Sequence, residues 1–175
     1  MALTIDATVG GMNSNSFATL EEIENIILEV PQETAWWALG AKGVSNDKKL
    51  GIMIRATKDL SNRIIYEQFP TSANQALPFP RIGLLYRNHP YKFVPSDIIP
   101  VELKQAQAEM CRFLAAADRS VSDPKAEVQS KSLSGLSVSY FQSYWKHQII
   151  PQPVYELISC WGQRVGNMPQ RVVRI

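Results

Sequence analysis

The sequence predicts a mainly α fold: a small bundle of about four helices with one β-hairpin and extended N- and C-terminal arms. Three observations predict it. Apolar residues recur at three- and four-residue spacing in separate windows, each bounded by capping residues, Pro or Gly. One stretch, Leu136-Ser137-Val138-Ser139-Tyr140, alternates with a period of two. The two ends of the chain follow neither period.

Residues 1–18 are polar, with Gly10, Gly11, Asn13 and Asn15, and read as an extended arm. Thr19 and Glu22 form a T-x-x-E capping box that opens the first helix. Leu20, Ile23, Ile26, Ile27 and Val30 make its apolar face, and Pro31 ends it. "QETAWWALGAKG" predicts about two helical turns closed by Gly40 or Gly43. Trp36 and Trp37 are adjacent, so they point about 100° apart and at most one faces the core centre. Ser45 or Asn46 caps the longest helix, predicted to run from Asp47 to Phe69, with Leu50, Met53, Ile54, Thr57, Leu60, Ile64 and Ile65 on its apolar side.

Six prolines then fall between residues 70 and 100, an irregular loop long enough to be functional or to wrap another surface. Pro100 opens the next helix, with Leu103, Ala106, Met110, Phe113 and Leu114 on one side. A polar linker at 119–127 leads to the hairpin over 127–142, with Ser134-Gly135 as its turn. "QPVYELISCWG" forms the last helix, with Val154, Leu157, Ile158 and Trp161 in one stripe and Gly162 as the stop. Residues 163–175 follow as an extended basic tail, leaving residues 19–162 as the helical domain.

With 175 residues and 45% hydrophobic content, one domain is the default and two small lobes are the alternative. No run of about 18 apolar residues predicts a membrane span. The N-terminus lacks a basic region followed by an apolar stretch, so no signal peptide is expected. Cys111 and Cys160 sit in helical patterns and read as buried thiols in a reducing compartment, with a disulfide or a metal pair as the alternative. The net charge is only +2, but it is segregated. Residues 1–34 carry Asp6, Glu21, Glu22, Glu24, Glu29 and Glu33 and no Lys or Arg, whereas the last thirteen residues carry Arg164, Arg171 and Arg174 and no acid. Solubility explains this, and so does polar assembly with a different partner at each end.

The search for chemistry finds little. His89 and His147 have no zinc-type spacing with each other or with the cysteines. Neither a phosphate-cradling glycine motif nor a G-x-S-x-G elbow is present. Glu21/Glu22 and Asp118/Asp123 stand at a helix start and in a linker, where carboxylates cap or face water. No enzyme activity, cofactor or metal is expected. Arg81, Arg87 and Lys92 interleave with Phe79, Tyr86, Tyr91 and Phe93 in the proline loop. That pattern suits base stacking, or the aromatics fold back and the arginines bind carbonyls.

Four stretches carry a resemblance. They are "GGMNSNSFATLEEIENII", "GIMIRATKDLSNR", "QALPFPRIGL" and "KSLSGLSVSYF", and they lie in that order along most of the chain. Together they resemble the head-tail adaptor, or head completion, proteins of the tailed-bacteriophage neck, some members of which carry a DnaT-like single-stranded-DNA-binding label. The resemblance implies a small helical domain with a β-hairpin. It implies copies forming a ring, commonly dodecameric, beneath the portal protein. Tail-side neck proteins (a stopper or tail terminator) and the double-stranded phage DNA in the channel are then the other partners. The expected location is the virion neck, with assembly in the host cytoplasm and no membrane contact. Phe79 stands where the family pattern often has Trp, and "QSYWKHQIIP" lengthens the segment before the last helix.

On this reading the tail residues Arg164, Arg171, Val172, Val173, Arg174 and Ile175 are candidates for portal binding. The stiff Phe79-Pro80-Arg81 segment, with Trp36 and Trp37, is a candidate brace for the loop or contact to a neighbouring subunit. The alternative function is a single-stranded-DNA-binding replication accessory protein using the aromatic-basic loop.

Overall fold

The computed structural model describes residues 3–30, 34–44, 46–87, 89–117, 130–133, 136–139 and 149–165, with the 130–139 hairpin described by its backbone. Helix α1 spans Leu20–Leu28, α2 Asp47–Arg63, α3 Val101–Ala116 and α4 Gln152–Ile158. Among the described residues, eight short strands accompany them: β1 Ile64–Tyr66, β2 Phe69–Pro70, β3 Arg81–Ile82, β4 Leu85–Tyr86, β5 His89–Phe93, β6 Ser130–Leu133, β7 Leu136–Ser139 and β8 Gly162–Arg164. They pair antiparallel in twos, as β1-β8, β2-β3, β4-β5 and β6-β7. The helical bundle and the β6-β7 hairpin match the predicted fold class; the other three ladders are additional.

The caps act as the sequence implies. Thr19 Oγ1 accepts the Glu22 amide at 3.3 Å, while Glu22 Oε2 accepts the Thr19 amide at 2.9 Å. Asn46 Oδ1 accepts the Lys49 amide at 2.8 Å and starts α2.

Helix α3 packs on α1, α2 and α4, and its Leu103, Ala106, Ala108, Met110 and Cys111 are buried. The core continues through Ile23, Ile27, Met53, Leu60, Val154, Ile158 and Trp161. A polar thread crosses it: Gln107 Nε2 lies 2.7 Å from Ser16 Oγ and 3.0 Å from Thr57 Oγ1, tying α3 to α2 and to the segment before α1.

The structure corrects several expectations. Helix α2 stops at Arg63, because the β-branched pair Ile64-Ile65 enters a strand with Ile64 inward and Ile65 outward. Helix α4 stops at Ile158, and Gly162 is a strand residue. A Cβ at Gly162 would lie 2.8 Å from the Ile65 carbonyl oxygen, so close strand approach explains this glycine. The tryptophan segment forms one 3-10 turn, Trp37–Leu39, with Trp36 buried and Trp37 half-buried. Cys160 is exposed rather than buried.

The N-terminal arm is folded over its described part. The Asp6 amide donates to Asn15 Oδ1 and the Asn15 amide to the Asp6 carbonyl, both at 2.9 Å. The Ala76 amide then reaches the Gly11 carbonyl at 3.0 Å, and Phe17 is buried in the core.

Candidate nucleic-acid interface

The proline-rich segment is built around two residues that the sequence singled out. Phe79 is 1% exposed. Its ring stands edge-on to Tyr66 at 4.9 Å and to Phe17 at 6.3 Å, and tilted to Trp161 at 6.1 Å. The Phe79–Pro80 peptide bond is cis. Arg81 is also buried, and its guanidinium gathers carbonyls rather than carboxylates. Nε donates to Glu67 O at 2.7 Å, Nη1 to Pro78 O at 2.9 Å, and Nη2 to Tyr66 O at 3.3 Å and to Gln68 O. Burial lowers the Arg81 pKa and raises that of Tyr66. Phe79, Pro80 and Arg81 thus brace the loop from within their own chain.

Trp36 and Trp37 serve an analogous purpose elsewhere. The Lys49 ammonium lies 5.3 Å and 4.8 Å from their ring centroids. It pairs with Glu24 Oε1 at 2.7 Å, with both side chains almost wholly buried. Glu24 Oε2 accepts the Gly43 amide at 2.9 Å, so the pair fastens the α1-α2 connection onto both helices.

Arg164 lies in β8, not in a free tail. Its guanidinium sits 4.2 Å from the Tyr155 ring centroid, and Nη2 donates to Gln152 Oε1 at 3.0 Å. Arg171, Val172, Val173, Arg174 and Ile175 lie outside the described residues.

Among the described residues, two exposed surfaces suit a partner. The first is the outer face of α2. Lys48, Arg55, Lys58 and Arg63 are exposed there. At 100° per residue they fall within an arc of roughly 140°. Asp59 answers two of them, at 3.0 Å to Arg55 Nε and 3.3 Å to Arg63 Nε, and Asp47 is the other carboxylate on this helix. Beside the row lies a groove of about 450 Å³ floored by Leu39, Ile52, Leu114 and Ala115 and flanked by Lys48 and Arg55.

The second surface is the β4-β5 arm. Tyr91 is 96% and Phe93 65% exposed. The arm's cations are committed: Arg87 Nη1 donates to Glu156 O at 2.6 Å, and Lys92 Nζ lies 5.5 Å from the Tyr86 ring centroid.

The exposed cations of α2 have the chemistry to hold a polyanion, and the whole chain matches one family model, over residues 1–175, described as "Putative DnaT-like ssDNA binding protein". The chain belongs to that family. No curated protein and no solved structure matches it. Among the described residues, no cluster of three or more His, Cys, Asp or Glu side chains could hold a metal ion, and no helix is long and apolar enough to cross a membrane. The sequence reading of this DnaT-like family member weighed the aromatic loop and missed the α2 row. The signal was legible as Lys48, Arg55, Lys58 and Arg63 once the apolar face of that helix was drawn.

Proposed function

We propose that this chain is a non-catalytic protein that holds single-stranded DNA without regard to sequence, along the outer face of α2. The observation that carries the reading is the row of four exposed cations against two carboxylates on one helix face. Phosphate neutralisation is the term that dominates such binding, and it needs charge rather than a base-reading pocket. Membership of a family described as binding single-stranded DNA supports it. Lys48→Glu/Lys58→Glu should weaken binding of a labelled oligonucleotide at least about tenfold. The slope of log K against log salt for the parent should lie between about −1.4, for Lys48 and Lys58 alone, and about −3, if Arg55 and Arg63 leave Asp59 for phosphates. Fluorescence anisotropy across a salt series measures both. An unchanged affinity and slope in the variant would refute the assignment.

A second reading, a ring component of the phage neck, is favoured by one observation. The proline-rich arm presents Phe69, Ile82, Leu85, Tyr91 and Phe93 outward, an apolar surface suited to a protein. On that reading the basic face of α2 meets the DNA that passes through the ring, and residues 166–175 contact the portal. Quantitative proteomics of purified virions tests it: copy number near that of the portal supports the neck role, and absence from virions removes it.

A further inference from the structure

Gly51 stands inside α2, where glycine is the least favourable residue after proline. Its backbone is helical, so no left-handed conformation requires a glycine here. A Cβ built on it would meet nothing within 4 Å among the described residues, so no close neighbour requires one either. Gly162 is the contrast, since a Cβ there would strike the Ile65 carbonyl oxygen. The open space beside Gly51 is the groove of about 450 Å³ along α2. A longer side chain at this position would fill that groove, which makes the glycine intelligible if something else occupies it.

The walls of the groove follow a pattern. Lys48, Gly51, Ile52 and Arg55 are i, i+3, i+4 and i+7, which is one stripe of the helix. The stripe is apolar in the middle and cationic at both ends. At 1.5 Å per residue the two cations stand about 10 Å apart along the axis. Leu39 from the 3-10 turn, with Leu114 and Ala115 from the end of α3, completes an aliphatic floor. These side chains and Ile52 are half-buried, packed against the core on one side and open to the groove on the other. Lys48 is exposed, and its ammonium has no partner among the described residues. Arg55 donates to Asp59 through Nε at 3.0 Å, and its Nη groups make no hydrogen bond among the described residues.

Such a slot suits an occupant with an apolar-faced centre and a negative charge on each side. A nucleoside within a single strand has that form, with a phosphate before it and a phosphate after it. The volume lies within the roughly 300–1,000 Å³ typical of small-ligand clefts. Asp47 on the rim can accept a hydrogen bond from the exocyclic amino group of a base, which an aliphatic side chain of a protein partner lacks. A base paired and stacked in a duplex could not enter without leaving the stack.

We infer that the groove is a slot for one base of the bound strand. The base lies over Gly51 on Leu39, Ile52, Leu114 and Ala115, and its two flanking phosphates lie at Lys48 and Arg55. This rests on the single-strand reading and deepens it: a row of cations holds any polyanion, whereas the slot requires an unpaired base.

The test is fluorescence anisotropy on the full chain with two labelled oligonucleotides of equal length, an ordinary mixed-sequence single strand and the same backbone made abasic throughout. The parent should bind the ordinary strand at least about fivefold more tightly than the abasic one. Gly51→Met should lose most of that margin, leave the affinity for the abasic strand unchanged, and melt no lower than the parent, since methionine is the better helix former. Gly51→Ala leaves the groove open, so it should keep the margin while raising the melting midpoint by about 2–4 °C. Equal binding of both strands by the parent, or a Gly51→Met variant that keeps the full margin, overturns the slot and leaves the phosphate row standing. A parent that binds neither strand overturns the single-strand reading and the slot with it. If Gly51→Met leaves both affinities unchanged but abolishes self-association in sedimentation velocity, the groove belongs to a protein and the inference fails.

Discussion

Phe79→Ala removes a ring that three other aromatic side chains enclose. The expected loss is about 3–5 kcal/mol of unfolding free energy, the range for deleting a fully buried phenyl group. A denaturant melt measures it, and a loss below about 1 kcal/mol would mean that the cluster re-forms without the ring. Arg81 is a different case, because its energy lies in the four backbone carbonyls to which its guanidinium donates. Arg81→Met should cost about 1–3 kcal/mol for each carbonyl left buried and dry, with water recovering the outer ones. The two thiols offer a simple check on the core. Burial raises the pKa of both, wholly for Cys111 and partly for Cys160. Cys160 should react with a thiol reagent in the native protein, more slowly than a free cysteine, and Cys111 only after unfolding. Two native equivalents of thiol would contradict the packing of α3.

At the level of elements, β1 and β8 are joined at Gly162, where a Cβ would meet the Ile65 carbonyl oxygen and the Ile64 side chain at 2.8 Å. Gly162→Ala should cost about 1–3 kcal/mol, roughly 3–10 °C in the melting midpoint. The start of α1 carries a pH dependence. Partial burial raises the Glu22 pKa, but hydrogen bonds from Lys104 and the Thr19 amide outweigh it and hold the value below the ordinary range. A depressed carboxyl contributes stability above its ordinary range and loses it as pH falls through the depressed value. Glu22 is largely solvated, so the effect is small, within about 1 kcal/mol. Glu22→Gln should therefore lower the melting midpoint near neutral pH and leave it unchanged in strong acid. Helices α1 and α3 and the β6-β7 hairpin were legible because each has a strong period and a clear cap. The end of α2 was not. Ile64 and Ile65 continue its helical spacing, and only the distant partner strand β8 makes them extended. The ladders within the proline loop are two residues wide on at least one side, too short to leave a period. Arg81 read from sequence as either a loop brace or a contact to a neighbouring subunit, and four converging carbonyls, which no sequence pattern reveals, make it the brace.

For the whole molecule, charge decides more than composition suggests. A net +2 is a weak field, yet the acids gather at α1 and the cations along α2. The usable end of the chain also shifts. Removing residues 166–175 should leave a folded protein, whereas a cut before Gly162 deletes β8 and exposes Ile64 and Tyr66. Circular dichroism of the two truncations separates them, and equal melting points would contradict a structural β8. The same pairing sets a schedule for synthesis. Ile64 waits for Arg164, one hundred positions later. At translation rates of about 5–20 residues per second, β1 emerges roughly 5–20 s before the strand that covers it. During that interval the edge of β1 and the apolar side chains behind it are open to other nascent chains. Slower translation of the segment between them would lengthen the exposure and raise the aggregated fraction without altering a single native contact.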